Sequence, residues 1–163
     1  VSFGENRYLE IIAPDPEQPE PSGARWFGID HLEEPRLVTW CARPDDLDDL
    51  VARAARAGVD LGAVTSGGRR RPDGSELRWR VTDPTTPRAG GVIPFFIDWL
   101  DSPHPGEGTG QGVSVLELRA RHPDAAEVER RLEARGLTVP VDRGEAPGLT
   151  ASIQTAGGVV KLA

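Results

Sequence analysis

The middle of the chain carries the clearest pattern of hydrophobic and polar positions. Apolar and charged residues alternate over 76–82, which is the period of a β-strand with two different faces. Residues 92–99 are nearly all apolar, a pattern typical of a buried strand. Over 47–57 the apolar side chains recur at helical spacing instead, after Asp45 or Asp46 as the candidate N-cap. This part of the chain therefore combines one helix with several strands.

The same succession of elements returns about 78 residues further along the chain. Each copy reads as a strand, a Pro-Asp turn, a short helix, a glycine and three strands. The predicted strands are 36–42, 63–65, 76–82 and 92–99 in the first copy, and 113–120, 138–141, 149–154 and 159–162 in the second. In the second copy Asp124 is the expected N-cap, and Glu127 stands where a capping box needs it. We therefore expect two βαβββ units, a central one at 36–101 and a C-terminal one at 113–163.

The remaining segments read as a hairpin, two linkers and a loop. Residues 1–12 predict two strands joined by a turn at 4–6, the tail hairpin of a truncated first unit. The Pro-rich segments 13–35 and 102–112 are expected linkers, because proline lacks the amide hydrogen that a helix or a central strand needs. Residues 66–74 are polar and rich in Gly and Arg, and are expected to form a hairpin loop. Because the chain starts within a hairpin, we expect a further N-terminal segment before it.

Composition narrows the class of protein. The chain has 163 residues, of which 37% are hydrophobic, enough to bury a core. Its 26 Asp and Glu outnumber its 19 Lys and Arg, which argues against the basic surface that nucleic-acid binding needs. No apolar run approaches the roughly 18 residues of a membrane span. Cys41 is the single cysteine, and we expect it to be an inert buried thiol. Because the sequence shows no signal peptide, we expect a cytoplasmic location.

Several segments resemble a known family. They are RYLEIIAPDP at 7–16, RRPDG at 70–74 followed by LRW at 77–79, and PFFIDW at 94–99 followed by DSPHP at 101–105. With the repeated units, they resemble the glyoxalase-like domain family of the vicinal oxygen chelate superfamily, which contains glyoxalases, extradiol dioxygenases, fosfomycin resistance enzymes and bleomycin-binding proteins. The resemblance implies an α+β fold of repeated βαβββ units, with curved mixed sheets and helices on their outer faces.

The resemblance also implies where a divalent metal (Zn, Ni, Fe or Mn) would be held. Enzymes of the superfamily take His and Glu ligands from the first and last strands of each unit. Glu10 matches one such position, whereas Thr39 stands where a His is expected and Pro94 lies near an expected Glu. The fourth position falls before Val1. His104 is a further weak metal candidate, although in its Pro-rich loop it reads as a solvent-exposed imidazole, so no cofactor is certain from the sequence.

Glu10 is also the candidate catalytic group. If its carboxylate points into a partly apolar cleft it could act as a general base, and the competing interpretation is a salt bridge to Arg78 or Arg80. These two arginines, on the strand face opposite Trp79, would prefer an anionic ligand if they line the cleft, and would otherwise face solvent. The candidate substrate-binding residues are Tyr8, Thr39, Arg78, Arg80, Phe96 and Asp98.

Three functions remain open at this point. The first is a glyoxalase-like protein that binds a small oxygen-rich or anionic organic molecule in the concave cleft of the sheet, with a metal site incomplete in this chain. The second is a metal-dependent lyase, isomerase or dioxygenase whose His ligand lies in the further N-terminal segment or in a partner subunit. The third is a metal-free protein that sequesters a drug by stacking and burial. A homodimer is expected, because an unpaired unit leaves an open sheet edge.

Overall fold

The structure, a computed structural model, describes residues 1–4, 6–23, 25–71, 73–85, 88–107 and 112–163. Four sequence-based expectations fall partly outside these residues. They are the turn at Glu5, Ala24 of the first predicted linker, Pro72 of the RRPDG segment, and 108–111 of the second predicted linker.

The described residues form a mixed α+β fold built around two four-stranded sheets. A two-stranded hairpin precedes the first of these sheets. The elements, in chain order, are β1 (Ser2–Gly4), β2 (Arg7–Tyr8), β3 (Cys41–Ala42), α1 (Leu47–Arg56), β4 (Val64–Arg70), β5 (Glu76–Thr82), β6 (Phe95–Asp98), β7 (Ser114–His122), α2 (Ala125–Glu133), β8 (Val141–Arg143), β9 (Gly148–Thr155) and β10 (Gly158–Leu162). Two short 3-10 segments, Trp26–His31 and Ala89–Gly91, lie between them. The predicted fold class is confirmed. No helix among the described residues is long and apolar enough to cross a membrane.

The central sheet has the strand order β3-β6-β5-β4, and helix α1 covers one of its faces. The helix begins where the Asp46 side chain accepts a hydrogen bond from the Asp49 amide, at 2.9 Å. Gly58 follows its C-cap Ala57 and has a φ of 71°, the left-handed conformation that glycine adopts without strain. On the inner side of the helix, its apolar residues pack against Leu61 and Phe96. The predicted helix is therefore present, with Asp46 as its cap.

The C-terminal sheet has the strand order β10-β9-β7-β8 and is covered by α2. Asp124 caps this helix by accepting from the Glu127 amide, and Gly136 follows it with a φ of 73°. Both units thus run strand, helix and three strands along the chain. Their sheets differ, however: β3 is an edge strand beside the fourth strand of its unit, whereas β7 lies inside its sheet between β8 and β9. The repeat holds for the order of elements and does not extend to strand order.

Several predicted boundaries are wrong: the strand expected at 92–99 covers Phe95–Asp98, the one expected at 138–141 is Val141–Arg143, and two segments differ more. The strand expected at 36–42 is reduced to β3, because the residues before it pack against the C-terminal unit. The Leu37 amide donates to the Ala163 carbonyl of that unit, and the Trp40 indole donates to the Val92 carbonyl of the central unit at 2.7 Å. The loop expected at 66–74 is instead largely strand, since β4 pairs with β5 as far as Arg70. This second change alters which face each arginine of the segment occupies.

Candidate functional site

The face of the central sheet that points away from α1 is the candidate site. Because side chains alternate along a strand, this face receives the odd-numbered residues of β5 and β6. The cluster on this face, which we call the aromatic face, consists of the buried Val81, Ile97 and Trp99 and the partly buried Cys41, Trp79 and Phe95. Trp79 and Trp99 meet edge to face, with ring centroids 5.6 Å apart. The Trp79 ring also lies over Gly67, where a Cβ atom would come within 2.6 Å of the indole.

The N-terminal hairpin brings Tyr8 against this face. Tyr8 packs on the cluster and meets the ring of His104 edge to face, with centroids 5.2 Å apart. His104 is only 6% exposed, and its Nδ1 accepts a hydrogen bond from the Gly106 amide at 3.2 Å. Burial, and secondarily the charge of Arg43, lowers the pKa of His104 below its ordinary value. The expectation of a solvent-exposed imidazole is therefore wrong, because the loop folds back onto the hairpin.

Glu10 lies beside this hairpin and is exposed to solvent. Its charge raises the pKa values of both Cys41 and Tyr8, although burial is the larger cause for each group. The pKa of the Cys41 thiol reaches about 12, so the thiol stays protonated at neutral pH, in keeping with an unreactive cysteine. Glu10 thus lies near the aromatic face without being enclosed by it, and the first of the two interpretations, a carboxylate inside an apolar cleft, is not observed.

Arg69 is a residue of this face that the sequence placed in a polar loop. In the β4–β5 register it lies opposite Leu77, so it shares the face of Trp79, while Arg70 points to the other side. The Arg69 charge acts on the Tyr8 hydroxyl and lowers its pKa, against the larger effect of burial. A carboxylate, a guanidinium and a phenol therefore gather at one border of the aromatic face. The alternation of side chains that places Arg69 on this face was not recognised, because 66–74 was interpreted as a loop, in which no residue has a defined face.

Phe27 covers the other border of the aromatic face. Its ring stacks on Phe95 with centroids 5.7 Å apart, and its backbone has a φ of 62° in the left-handed region. Beneath it lies a recess lined in part by Thr39 and Arg88. The enclosed volume is about 10 Å³, room for about one water molecule. Thr39 is therefore on the predicted face, in a space too small for an organic ligand.

The structure places four other predicted binding residues away from the aromatic face. Arg80 makes a bidentate ion pair with Asp48 of α1, at 2.8 Å for one N–O contact, so it lies on the helix side. Phe96 is 2% exposed beneath α1. Asp98 is paired with Arg80 in the sheet register and shares its side, where it accepts from the Leu100 amide. Arg78 also alternates to this side of β5 and is exposed. The alternation over 76–82 predicted the two faces of β5 correctly, but α1 lies on the face that carries the arginines.

The metal positions implied by the resemblance do not form a suitable donor set. Thr39 and Pro94 supply neither an imidazole nor a carboxylate at two of them, and Glu10 is a single carboxylate. His104 turns Nδ1 to a backbone amide within its own loop. Within the described parts of the chain, no three His, Cys, Asp or Glu side chains gather where they could hold an ion. The residues present here do not fit the metal.

Comparisons with known proteins agree with this fold. A family model described as a glyoxalase-like domain matches residues 1–136, and the chain therefore belongs to the glyoxalase-like domain family. It is also similar to a crystal structure of a hypothetical protein from Staphylococcus aureus, with a TM-score of 0.54 and 10% sequence identity. That match covers 76% of this chain and 64% of the other, and it supports the fold alone. No curated protein matches the chain.

Proposed function

We propose that this protein binds a small anionic or oxygen-rich organic molecule at the aromatic face. The observation that carries the proposal is the gathering of Arg69, Tyr8 and Glu10 at one border of a wall of aromatic rings. An aromatic wall with a few convergent polar groups is the usual composition of a small-molecule site. The ligand would stack on the rings and direct its polar end towards this border.

Arg69 is the residue that would hold an anionic group. A guanidinium binds a carboxylate through two parallel hydrogen bonds, which fixes the orientation of a planar ligand. Arg69 is exposed and lies on the same face as Trp79, whereas Arg80 is already engaged by Asp48. The role first assigned to Arg78 and Arg80 therefore passes to Arg69.

Glu10 would select against ligands that carry negative charge on both ends. Its carboxylate lies near the Tyr8 hydroxyl and the Cys41 thiol, and the raised pKa of each group keeps its proton in place. A hydroxyl or amine of a ligand could donate a hydrogen bond to Glu10. Proton abstraction by Glu10 from such a group is the catalytic role that is compatible with its position.

Metal-free sequestration of a ligand by stacking is the second candidate function. The aromatic composition of the face favours it.

Intrinsic tryptophan fluorescence tests the proposal, because Trp79 and Trp99 both belong to the aromatic face. Benzoate and its neutral analogue benzamide serve as matched planar probes. We expect benzoate to quench the fluorescence saturably and to bind more tightly than benzamide. The variant Arg69→Gln should weaken benzoate binding about tenfold, as expected for the loss of a charge-assisted hydrogen bond near the surface.

Arg70→Gln is the matched control, since Arg70 adjoins Arg69 on β4 and points to the opposite side. It should leave benzoate binding unchanged. Absence of saturable quenching by either probe, or an equal loss in both arginine variants, would refute a ligand site on this face.

A further inference from the structure

The N-terminal hairpin is a sheet of only two short strands. Among the described residues, β1 and β2 pair with each other, and neither of them joins the central or the C-terminal sheet. An isolated hairpin of two strands is at best marginally stable in water. The position of this hairpin therefore depends on its side-chain contacts with the rest of the fold, and the loop that follows β6 supplies several of them.

His104 is the residue of that loop that meets the hairpin, and it is only 6% exposed. Its ring contacts the ring of Tyr8 on β2, and it makes a hydrogen bond with the backbone of Asn6 in the turn. Ser2 of β1 is also close, because an added Cβ atom at Gly106 would touch both the Ser2 hydroxyl and the imidazole. Both strands and the turn of the hairpin thus lie next to one buried imidazole.

The hydrogen bonds of this ring suit its neutral form. Nδ1 of His104 accepts from the Gly106 amide at 3.2 Å. A neutral imidazole has one nitrogen that accepts and one that donates, whereas in the protonated ring both nitrogens donate. Protonation would therefore turn an N–H of His104 towards the N–H of Gly106. One of the contacts that fix the loop against the hairpin would be lost.

The charged groups around the ring act in the same direction on balance. Burial is the largest cause that lowers the pKa of His104, and the positive charge of Arg43 lowers it further. Glu107 of the same loop and the hydrogen bond with Asn6 raise the pKa by less, so that the net shift is downward. Tyr8 faces the ring without a charge, because burial raises the pKa of its phenol. The closed arrangement consequently disfavours a proton on His104.

We propose that His104 is a pH-dependent switch, which holds the N-terminal hairpin on the aromatic face while the ring is neutral and releases it when the ring takes up a proton. Because the released ring regains its ordinary pKa of 6.5, the closed form should be lost progressively as the pH falls below that value. Release would move Tyr8 away from the buried residues that it shares with Cys41. The switch needs no ligand and is independent of the binding function proposed for this face.

The reactivity of Cys41 towards dithiodipyridine tests the switch, because this disulfide reagent reacts with thiols in mildly acidic solution. Cys41 is the single cysteine of the chain and packs against the same buried residues as Tyr8. The rate constant of the native protein is divided by that of the urea-unfolded protein at the same pH, which removes the intrinsic pH dependence of the thiol. We expect this ratio to rise severalfold between about pH 7.5 and pH 5.5.

Two substitutions separate the switch from a general effect of acid. His104→Gln keeps an acceptor for the Gly106 amide and does not titrate in this range, so its ratio should be the same at every pH. Tyr8→Ala removes the ring that packs beside Cys41, so its ratio should be high and also independent of pH. His31→Gln, a change at an exposed histidine, should show the same rise as the wild type.

Circular dichroism and urea unfolding at each pH measure the global unfolding that must be subtracted. If His104→Gln does not fold, Arg43→Gln replaces it, because removal of this exposed positive charge raises the folded-state pKa of His104 and should move the rise to lower pH. Arg36→Gln, at another exposed arginine, is the control for that variant. A ratio that stays constant in the wild type, that rises equally in His104→Gln, or that only follows global unfolding would overturn the proposal.

Discussion

The ring of Tyr8 meets the ring of His104 at an interplanar angle of 79°, and this contact joins the N-terminal hairpin to the loop that follows β6. Ser2 lies on the same side, because a Cβ atom at Gly106 would come within 3.3 Å of both its hydroxyl and the His104 ring. Tyr8 is two residues before Glu10. The packing of His104 therefore helps to determine where the Glu10 carboxylate lies, although His104 itself has no place in the proposed ligand site.

His104 should make the stability of the protein depend on pH. Its pKa in the folded state is lowered from 6.5, chiefly by burial, so the unfolded chain takes up a proton more readily. The stabilising contribution of the neutral ring is complete above pH 6.5 and is lost as the pH falls through the folded-state pKa. We expect His104→Gln, which keeps an acceptor for the Gly106 amide and cannot titrate there, to reduce the acid loss of stability. Urea unfolding, repeated between pH 7.5 and pH 5 in steps of about half a pH unit, measures the free energy of unfolding of both proteins.

His31→Gln is the control for this measurement, because His31 is exposed. Its acid-induced loss of stability should follow that of the wild type. An unchanged slope in His104→Gln would mean that His104 titrates alike in the folded and unfolded states, which contradicts its buried position.

The sequence predicted the order of elements better than it predicted which face of a strand is functional. Alternation over 76–82 separates Trp79 from Arg80, but the period is the same whichever face the helix covers. Arg80 is on the helix side because the apolar residues of β5 are buried on the other face, and there it meets Asp48 of α1, a residue far away in the chain. Arg69 was missed since its strand depends on pairing with β5, and Gly67 and Gly68 made it read as a loop. Long-range contacts thus decide the features that local patterns leave open.

Cys41 provides a chemical probe of the position of Glu10. It is the single cysteine of the chain, and burial raises its pKa to about 12 with a further contribution from the Glu10 charge. We expect slow alkylation by iodoacetamide at pH 8 in the folded protein, because the thiolate is the reactive form. Glu10→Gln should speed alkylation severalfold by lowering the thiol pKa.

The control for the Cys41 experiment is Glu17→Gln, a change of the same charge in the exposed Pro-rich segment, and its rate should match the wild type. Denatured wild type and denatured Glu10→Gln should also react at equal rates. A folded Glu10→Gln protein that reacts no faster than wild type would place Glu10 too far from Cys41 to affect it.

Phe27 should show a measurable cost of its backbone conformation. Its φ of 62° is strained for a residue with a Cβ atom, while its ring is stabilised by stacking on Phe95. Phe27→Ala and Phe27→Gly both remove the ring, but only glycine relieves the strain. We expect both variants to be less stable than wild type, and Phe27→Gly to exceed Phe27→Ala by about 0.5–1 kcal/mol. Urea unfolding gives the comparison, and a more stable Phe27→Ala would contradict the left-handed backbone.

Phe95 and Phe96 adjoin each other on β6 and should separate binding from stability. Phe96 is 2% exposed and packs beneath α1, so Phe96→Ala should lower the free energy of unfolding by about 3–5 kcal/mol. Phe95 is half-buried on the aromatic face, and Phe95→Ala should cost about 1–2 kcal/mol and weaken benzoate binding. If Phe96→Ala does not fold, the two Phe→Leu variants give the same order with smaller losses. Equal losses of stability in both pairs would contradict the burial of Phe96 beneath α1. Weaker benzoate binding in Phe96→Leu alone would assign the ligand face to the helix side of the sheet.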